Sequence, residues 1–409
     1  MSRKNDPDDI EQCSYAGKCG GCSHTGIPYE EQLNAKQERI DKLFRSSGCR
    51  VERILGADSP FHYRNKVHSV FSRDKKGNII RGMYAQDSHD VIGISRCLLE
   101  DKTADTIIEE IRKIASKYKM RIYDEDSRTG FLRHVLVRVA QYHGEKRYMV
   151  VIVTSQVDFE GKNNFVKLLK KAFPAIDTII QNINNKRTSM ILGERNIVIL
   201  GKGYIIDDSL GFGFRISPSA FFQINPQQTR KLYNAAMELA SPSPDDTILD
   251  AYCGTGTIGT FMSRKAAHVT GVELNPDAVK DALSNAKRNR IENISFICSD
   301  ATEYLKELAI KAGETDHEKT GHDRNDRKKE LLIPDILCMD PPRSGATPEF
   351  INAAAELGIK RIVYISCNPD TLIRDIDLFK KKGYKVERAV PVDMFPHTDH
   401  IEMAVKLSK

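Results

Sequence analysis

Leu249-Asp250-Ala251-Tyr252-Cys253-Gly254-Thr255-Gly256-Thr257 carries an apolar strand into the start of a helix. The glycines let a ligand approach the backbone at the helix N-terminus. A Gly-x-Gly turn alone suits several cofactors, a dinucleotide included. The next strand end discriminates between them: Gly271-Val272-Glu273-Leu274-Asn275-Pro276 offers an acid able to accept hydrogen bonds from both hydroxyls of a ribose. Outward from this pair, short apolar strands alternate with helices from Asp246 onward. They are Thr247–Ala251, Val269–Glu273, Ile294–Cys298, Asp335–Met339 and Arg361–Ser366. The pattern predicts an α/β fold with a doubly wound parallel sheet, whose ligands bind beyond the carboxyl ends of the strands.

Asp300 closes the third of these strands and Asp340-Pro341-Pro342-Arg343 the fourth. Core packing accounts for the strands but not for their polar ends. This run of strand ends resembles the S-adenosylmethionine-dependent methyltransferases, a Rossmann-like fold whose Gly-rich turn meets the amino-acid part of the cofactor.

Upstream, the chain reads as α+β up to about Gly213. A helix is expected from Tyr29 to about Ser46, followed by a basic hairpin over 61–81 turning at Lys76-Gly77-Asn78. Ile107, Ile108, Ile111, Ile114 and Ala115 recur at helical spacing over 103–118. Strands are expected at Val135–Ala140 and Arg147–Thr154. Asn225-Pro226 caps a helix to about Ala240. Three segments result: 1–60, a cysteine loop and helix; 61–215, an α+β domain; and 216–409, the doubly wound domain. Residues 311–330, charged and poor in apolar side chains, read as a mobile surface insertion.

The strand Arg361–Ser366 ends in the tetrapeptide Ser366-Cys367-Asn368-Pro369. On that tetrapeptide a buried core thiol and a nucleophile are equally good readings. Asp340-Pro341-Pro342 invites comparison with amino-methyltransferases, but Arg343 stands where those enzymes need an aromatic. Methylation at carbon-5 of a pyrimidine makes a different demand. That carbon becomes nucleophilic only when a thiolate adds to carbon-6, and a base must then take the carbon-5 proton. Cys367 and Glu402, the latter in a further strand-like segment, can meet both needs.

Ser219-Ala220-Phe221-Phe222-Gln223-Ile224-Asn225, the 250–256 turn, Asp340-Pro341-Pro342-Arg343, Ser366-Cys367-Asn368-Pro369 and Phe395-Pro396-His397-Thr398-Asp399-His400-Ile401-Glu402 occur in that order. Together they resemble the RNA uracil-C5 (5-methyluridine) methyltransferases over about residues 13–409, with the bacterial 23S rRNA enzymes nearest. The resemblance implies Cys367 as nucleophile and Glu402 as base. It also implies Gln223, Tyr252, Thr257, Glu273, Asp300 and Asp340 as the pocket for S-adenosyl-L-methionine. A DNA cytosine-C5 enzyme would need a Pro-Cys-Gln loop, which the chain lacks.

Cys13, Cys19 and Cys22 lie on a Gly-rich loop, and Cys97 follows an apolar stretch. Four thiolates suit zinc or an iron–sulfur cluster, and spacing leaves both open. The rRNA branch of the family holds a [4Fe–4S] cluster on the same arrangement, so the resemblance implies that cluster and 23S rRNA as substrate, before or during ribosome assembly. A tRNA 5-methyluridine enzyme and an inactive iron–sulfur RNA-binding protein are the competing readings. Cys253, Cys298 and Cys338 are expected in the core, and Cys49 is expected to be structural. Only twelve residues precede Cys13, so the N-terminal RNA-binding β-barrel of many relatives is expected to be absent.

The 409 residues, 40% of them hydrophobic, are enough for two or three cores. A net charge of +6 permits an RNA partner without demanding one. With no apolar leader or membrane span, a monomeric cytoplasmic protein with reduced, metal-bound or catalytic cysteines is expected.

Overall fold

A computed structural model describes residues 13–85, 88, 90–188, 190–318 and 333–409. Its chain divides into two compact units. The first comprises residues up to Gln32 together with Asp58–Pro226 and Pro396–Asp399; the second comprises Leu33–Ala57, Gln227–Phe395 and His400–Lys409. Residues 33–57 therefore group with the C-terminal half of the chain rather than with the cysteine loop.

Helix α1 (Tyr29–Phe44) and the two-residue strand β1 (Arg50–Val51) come first. The first unit then builds a seven-stranded sheet from β2 (Lys66–Arg73), β3 (Ile79–Tyr84), β4 (Val91–Gly93), β5 (Leu132–Tyr142), β6 (Glu145–Thr154), β7 (Ile176–Ile183) and β8 (Arg195–Leu200), in the order β4-β3-β2-β5-β6-β7-β8. All of its pairs are antiparallel except β6–β7. Helices α2 (Lys102–Lys117) and α3 (Lys162–Ala172) share a core with one face. Asp101 starts α2 by accepting from the amides of Thr103 and Ala104, and Ile107, Ile108 and Ile111 are fully buried. Each such isoleucine contributes roughly 1.5–3 kcal/mol by leaving water. The small pair β9 (Ile205–Asp207) and β10 (Phe214–Ile216) packs Ile205 and Ile216 against the other face, on Leu136, Met149 and Val151.

The second unit carries α4 (Pro226–Ala240), then β11 (Thr247–Ala251), α5 (Thr257–Met262), β12 (His268–Glu273), α6 (Pro276–Arg288), β13 (Ile294–Cys298), α7 (Ala301–Glu318), β14 (Ile336–Met339), α8 (Pro348–Glu356), β15 (Arg361–Ser366), α9 (Pro369–Lys381), β16 (Lys385–Val392) and β17 (Glu402–Ser408). Its eight strands run β1-β16-β17-β15-β14-β11-β12-β13. From β13 to β15 neighbours are parallel, as the alternating pattern predicts. The far side differs: β17 is antiparallel to β15 and to β16, so the sheet is mixed rather than purely parallel. Three helices start the same way, with a polar N-cap followed by proline in the first turn: Asn275-Pro276, Thr347-Pro348 and Asn368-Pro369.

Two expectations need correcting. Lys311–Glu318 is not a loop, because α7 continues through it on helix-forming Lys, Ala and Glu; residues 319–330 of the expected insertion lie outside the described residues. Cys298 is exposed rather than core, since β13 is the sheet's edge strand. Cys253 and Cys338 are buried as expected.

Candidate active site

Parallel register brings the polar strand ends of the second unit to one level. Ala251 pairs with both Val272 and Met339, so Tyr252, Glu273 and Asp340 each stand one residue further along. The chain turns there abruptly. Tyr252 has φ +63°, a left-handed conformation costly for a side-chain-bearing residue and commonest at functional sites. Gly256, at φ +77°, meets the Phe296 ring so closely that a Cβ would lie 2.7 Å from it. At Gly254 a Cβ would meet nothing within 4 Å, so the turn is open on that side.

Glu273 holds this turn with both oxygens: Gly254 N donates to Oε2 at 3.1 Å and Asn275 N to Oε1 at 2.7 Å. Asp300 follows β13 and caps α7, accepting on Oδ1 from Thr302 N at 2.8 Å and Glu303 N at 3.1 Å. Its second oxygen is not used in that cap. Thr257 opens α5, its hydroxyl 3.2 Å from the buried phenol of Tyr233.

Acids dominate the electrostatics. Burial pushes Asp250 and Asp340 up to about 7 and Glu402 to about 8. The charges of Asp340 and Glu273 add to the rise at Asp250, and that of Asp340 to the rise at Glu402. Asp250 accepts from Gly259 N at 2.8 Å on Oδ2, while its buried Oδ1 has no partner. A crevice lined by acids suits a cationic ligand, which stabilises their ionised forms, better than the pyrophosphate of a dinucleotide. S-adenosylmethionine, with its sulfonium and ammonium, fits this donor set, and Gly254 leaves its path to the backbone clear. Sequence reasoning did not single out Asp250 or Tyr233; the apolar residues around them gave no sign that a carboxyl would be left partly unsatisfied.

Cys367 follows β15 directly, and Asn368 caps α9 behind it. Glu402 is the first residue of β17 and 4% exposed. The Cys367 thiol is raised to about 11, by burial first and then by the charges of Glu402 and Asp340, with Arg343 pulling it down. Arg343 likewise lowers Glu402. Its guanidinium lies 3.1 Å from His400 Nδ1, and its carbonyl accepts from Asn368 Nδ2 and Thr371 Oγ1, both at 3.2 Å. The thiol, two carboxyls and one guanidinium thus form a single electrostatic group. The segment leading to Glu402 is anchored from α1. Lys36, 4% exposed, donates to buried Asp393 at 2.6 Å and to the carbonyls of Phe395 and His400.

In the first unit, Gln223 is buried, and its carbonyl accepts from Asn65 Nδ2 at 2.9 Å. Arg138 fixes the segment before it by donating to the carbonyls of Pro218 and Ala220. Cys13, Cys19, Cys22 and Cys97 all line one cavity of about 110 Å³. Burial raises Cys22, with the neighbouring Arg64 lowering it and Cys19 and Cys13 raising it. Arg64 donates to the carbonyl of Gly21 at 3.0 Å. Four soft thiols on one cavity are a donor set suited to zinc or an iron–sulfur cluster. Among the described residues, no three His, Cys, Asp or Glu side chains stand close enough together to hold a metal ion. Also among the described residues, no helix is long and apolar enough to cross a membrane.

Known proteins match this arrangement. A Clostridium tetani protein named "Uncharacterized RNA methyltransferase" is 37% identical over 399 residues, covering 97% of this chain and 82% of its own length. A Bacillus cereus protein of the same name is 36% identical over 402 residues, covering 97% and 83%. The crystal structure of Pyrococcus abyssi tRNA (uracil-54, C5)-methyltransferase with S-adenosyl-L-homocysteine superposes with a TM-score of 0.73 at 24% identity, over 95% of this chain and 86% of that one. That likeness establishes the methyltransferase fold. The family model described as tRNA (Uracil-5-)-methyltransferase matches residues 28–409. The chain belongs to that family and is an S-adenosylmethionine-dependent RNA (uracil-5-)-methyltransferase.

Proposed function

We propose that the enzyme methylates carbon-5 of a uridine in 23S rRNA by covalent catalysis. The carrying observation is the electrostatic group of Cys367, Glu402, Asp340 and Arg343 at neighbouring strand ends. When bound, S-adenosylmethionine supplies an electrophilic methyl group. Tyr252, Thr257, Glu273, Asp300 and Asp340 hold it, with Gln223 assigned to the same pocket.

Cys367, as thiolate, forms a bond to carbon-6 of the uracil, which makes carbon-5 nucleophilic. After carbon-5 is methylated, Glu402 takes the proton from it. The electron pair of that C–H bond restores the double bond as the Cys367–carbon-6 bond breaks. Burial suits Glu402 to this step, since a carboxylate of raised pKa is the stronger base. Arg343 offsets the negative charge shared by Cys367, Glu402 and Asp340. The target uridine must be turned out of its stack to reach the thiol.

The four cysteine thiols around one cavity favour a [4Fe–4S] cluster on Cys13, Cys19, Cys22 and Cys97, with zinc as the alternative; to ligate either, the thiols must draw closer together than they stand in this structure. Such a cluster has no step in methyl transfer; it serves folding or RNA docking in the first unit. The cluster cysteines favour rRNA, whereas the family's description speaks for tRNA, which is the second reading.

The test is incubation with S-adenosylmethionine and 23S rRNA or tRNA transcripts containing 5-fluorouridine. Fluorine cannot leave as a proton does, so a covalent adduct should persist on the 23S transcript. No adduct, or one that survives Cys367→Ala, overturns the mechanism; an adduct on tRNA alone overturns the substrate. Iron, acid-labile sulfide and zinc in protein purified without oxygen decide the metal.

A further inference from the structure

We propose that a second cleft in the first unit, remote from the Gln223 segment, docks the phosphate backbone of the RNA substrate. The cleft, of about 480 Å³, is lined by Arg121, Arg128, Arg187, Tyr123 and Glu125, with small polar residues between them. Its one acid, Glu125, is already paired with Arg133 at 2.7 Å. Arg121, Arg128 and Arg187 are all exposed, so three positive charges face this space without an acid of the cleft left to neutralise them.

The frame that carries them is rigid. Arg133, 2% exposed, donates to the carbonyls of Asn184 at 2.7 Å and Lys186 at 3.1 Å, and its guanidinium lies 4.4 Å from the Tyr123 ring centre. One buried arginine thereby ties the loop bearing Arg187 to the turn bearing Arg128. That turn is itself closed by Ser127 N donating to Asp124 Oδ1 at 2.7 Å and Arg128 N to the Asp124 carbonyl at 2.9 Å. Guanidinium groups suit phosphate because each presents a planar fork of donors. Three arginines on one cleft, with its one acid already paired, match a polyanion such as the phosphate backbone of RNA.

Place along the sheet sharpens the proposal. Gly130 lines the cleft, whereas Arg138, eight residues along the same strand segment, fixes the carbonyls just before Gln223. At about 3.4 Å per residue the separation is roughly 27 Å. A stacked strand advancing about 3.4 Å per nucleotide needs about eight nucleotides to cover it. The cleft and the Gln223 segment can therefore be engaged together only by an extended RNA; the proposal rests on the reading of RNA as substrate.

The experiment compares the full chain with an Arg121→Gln/Arg128→Gln/Arg187→Gln variant, leaving Arg133 in place. Fluorescence anisotropy measures binding to a 23S rRNA transcript across a salt series. The variant should bind more weakly, and its slope of log K against log salt should be smaller by about 2, at about 0.7 for each phosphate no longer neutralised. Adduct formation with a 5-fluorouridine oligonucleotide of about four nucleotides should be unchanged, because the three arginines take no part in the chemistry of Cys367 and Glu402. An unchanged salt slope overturns the proposal and leaves an acidic protein surface as the occupant. An equal loss on the short oligonucleotide also overturns it, by showing damage elsewhere. Failure of the wild-type chain to form any adduct instead removes the catalytic reading, while the salt slopes still decide the cleft.

Discussion

Cys367 and Glu402 stand side by side because two strands run in opposite directions. Ser366 pairs with Met403 across β15 and β17, and one further step along β15 and one step back along β17 bring the thiol and the carboxyl to the same level. Far apart in sequence, the two are neighbours by register, and Glu402 heads the charges that raise the Cys367 thiol. Replacing Cys367 with alanine should abolish both methylation and the 5-fluorouridine adduct. Thermal melting should change little, because the side chain is only half-buried. Denaturing gels of the adduct and a methyl-transfer assay check this.

Glu402→Gln should separate the two halves of the reaction. The amide keeps the shape of the carboxyl but cannot take the carbon-5 proton, so the adduct should accumulate on unmodified RNA while turnover falls by about 10²–10⁴-fold. Rapid turnover by this variant would assign the base elsewhere.

The raised carboxyls set a pH dependence. Asp250 and Asp340 at about 7 and Glu402 at about 8 hold protons in the folded chain that their ordinary values, 3.8 for the aspartates and 4.5 for glutamate, would release. Their stabilising contribution is present below about pH 4 and is lost as pH rises through about 7 and 8. Thermal stability of the donor-free protein should therefore decline between about pH 5 and 8. Saturating S-adenosylmethionine, a cation among these acids, should flatten the decline. Activity runs the other way: kcat/KM should climb through about pH 8 as Glu402 and then Cys367 lose protons.

Gly256→Ala should destabilise by about 1–3 kcal/mol. The new Cβ meets both a left-handed backbone and the Phe296 ring. Melting temperature and donor affinity should fall together, and Phe296→Leu in the same chain should restore part of the loss.

Lys36→Met should be more damaging, costing about 3–5 kcal/mol, because it removes the cation paired with the buried carboxylate of Asp393. The double variant Lys36→Met/Asp393→Leu should recover much of that stability in denaturant titrations. Its methylation rate should stay low, since the carbonyls of Phe395 and His400 lose their anchor just ahead of Glu402.

Much of the catalytic sheet is legible because β11 to β15 are short apolar runs with a polar residue at each end, the pattern of strands covered on both faces. β16 is harder to read, since Lys385, Glu387 and Arg388 interrupt its apolar residues and its pairing is irregular there. The antiparallel seat of β17 depends on partners distant in sequence, as do the Lys36–Asp393 pair and the edge position that exposes Cys298. Periodicity reports which way a side chain points within its own element. It carries no information about which strand will lie alongside. The site residues are recognisable by type and order; the charge they impose on one another emerges only once register sets them together.

β1 joins the sheet by pairing Arg50 with Arg388 and Val51 with Ala389, while β17 is threaded between β15 and β16. At about 5–20 residues per second, a ribosome takes roughly 20–70 s to pass from the first partner to the second. Throughout that interval β1 has no neighbour, and the edge of β15 beside the nucleophile stays bare until residues 402–408 emerge. The nascent chain therefore holds a thiol with no base, and an open strand edge, for a period long on the scale of folding, when a chaperone has most to shield.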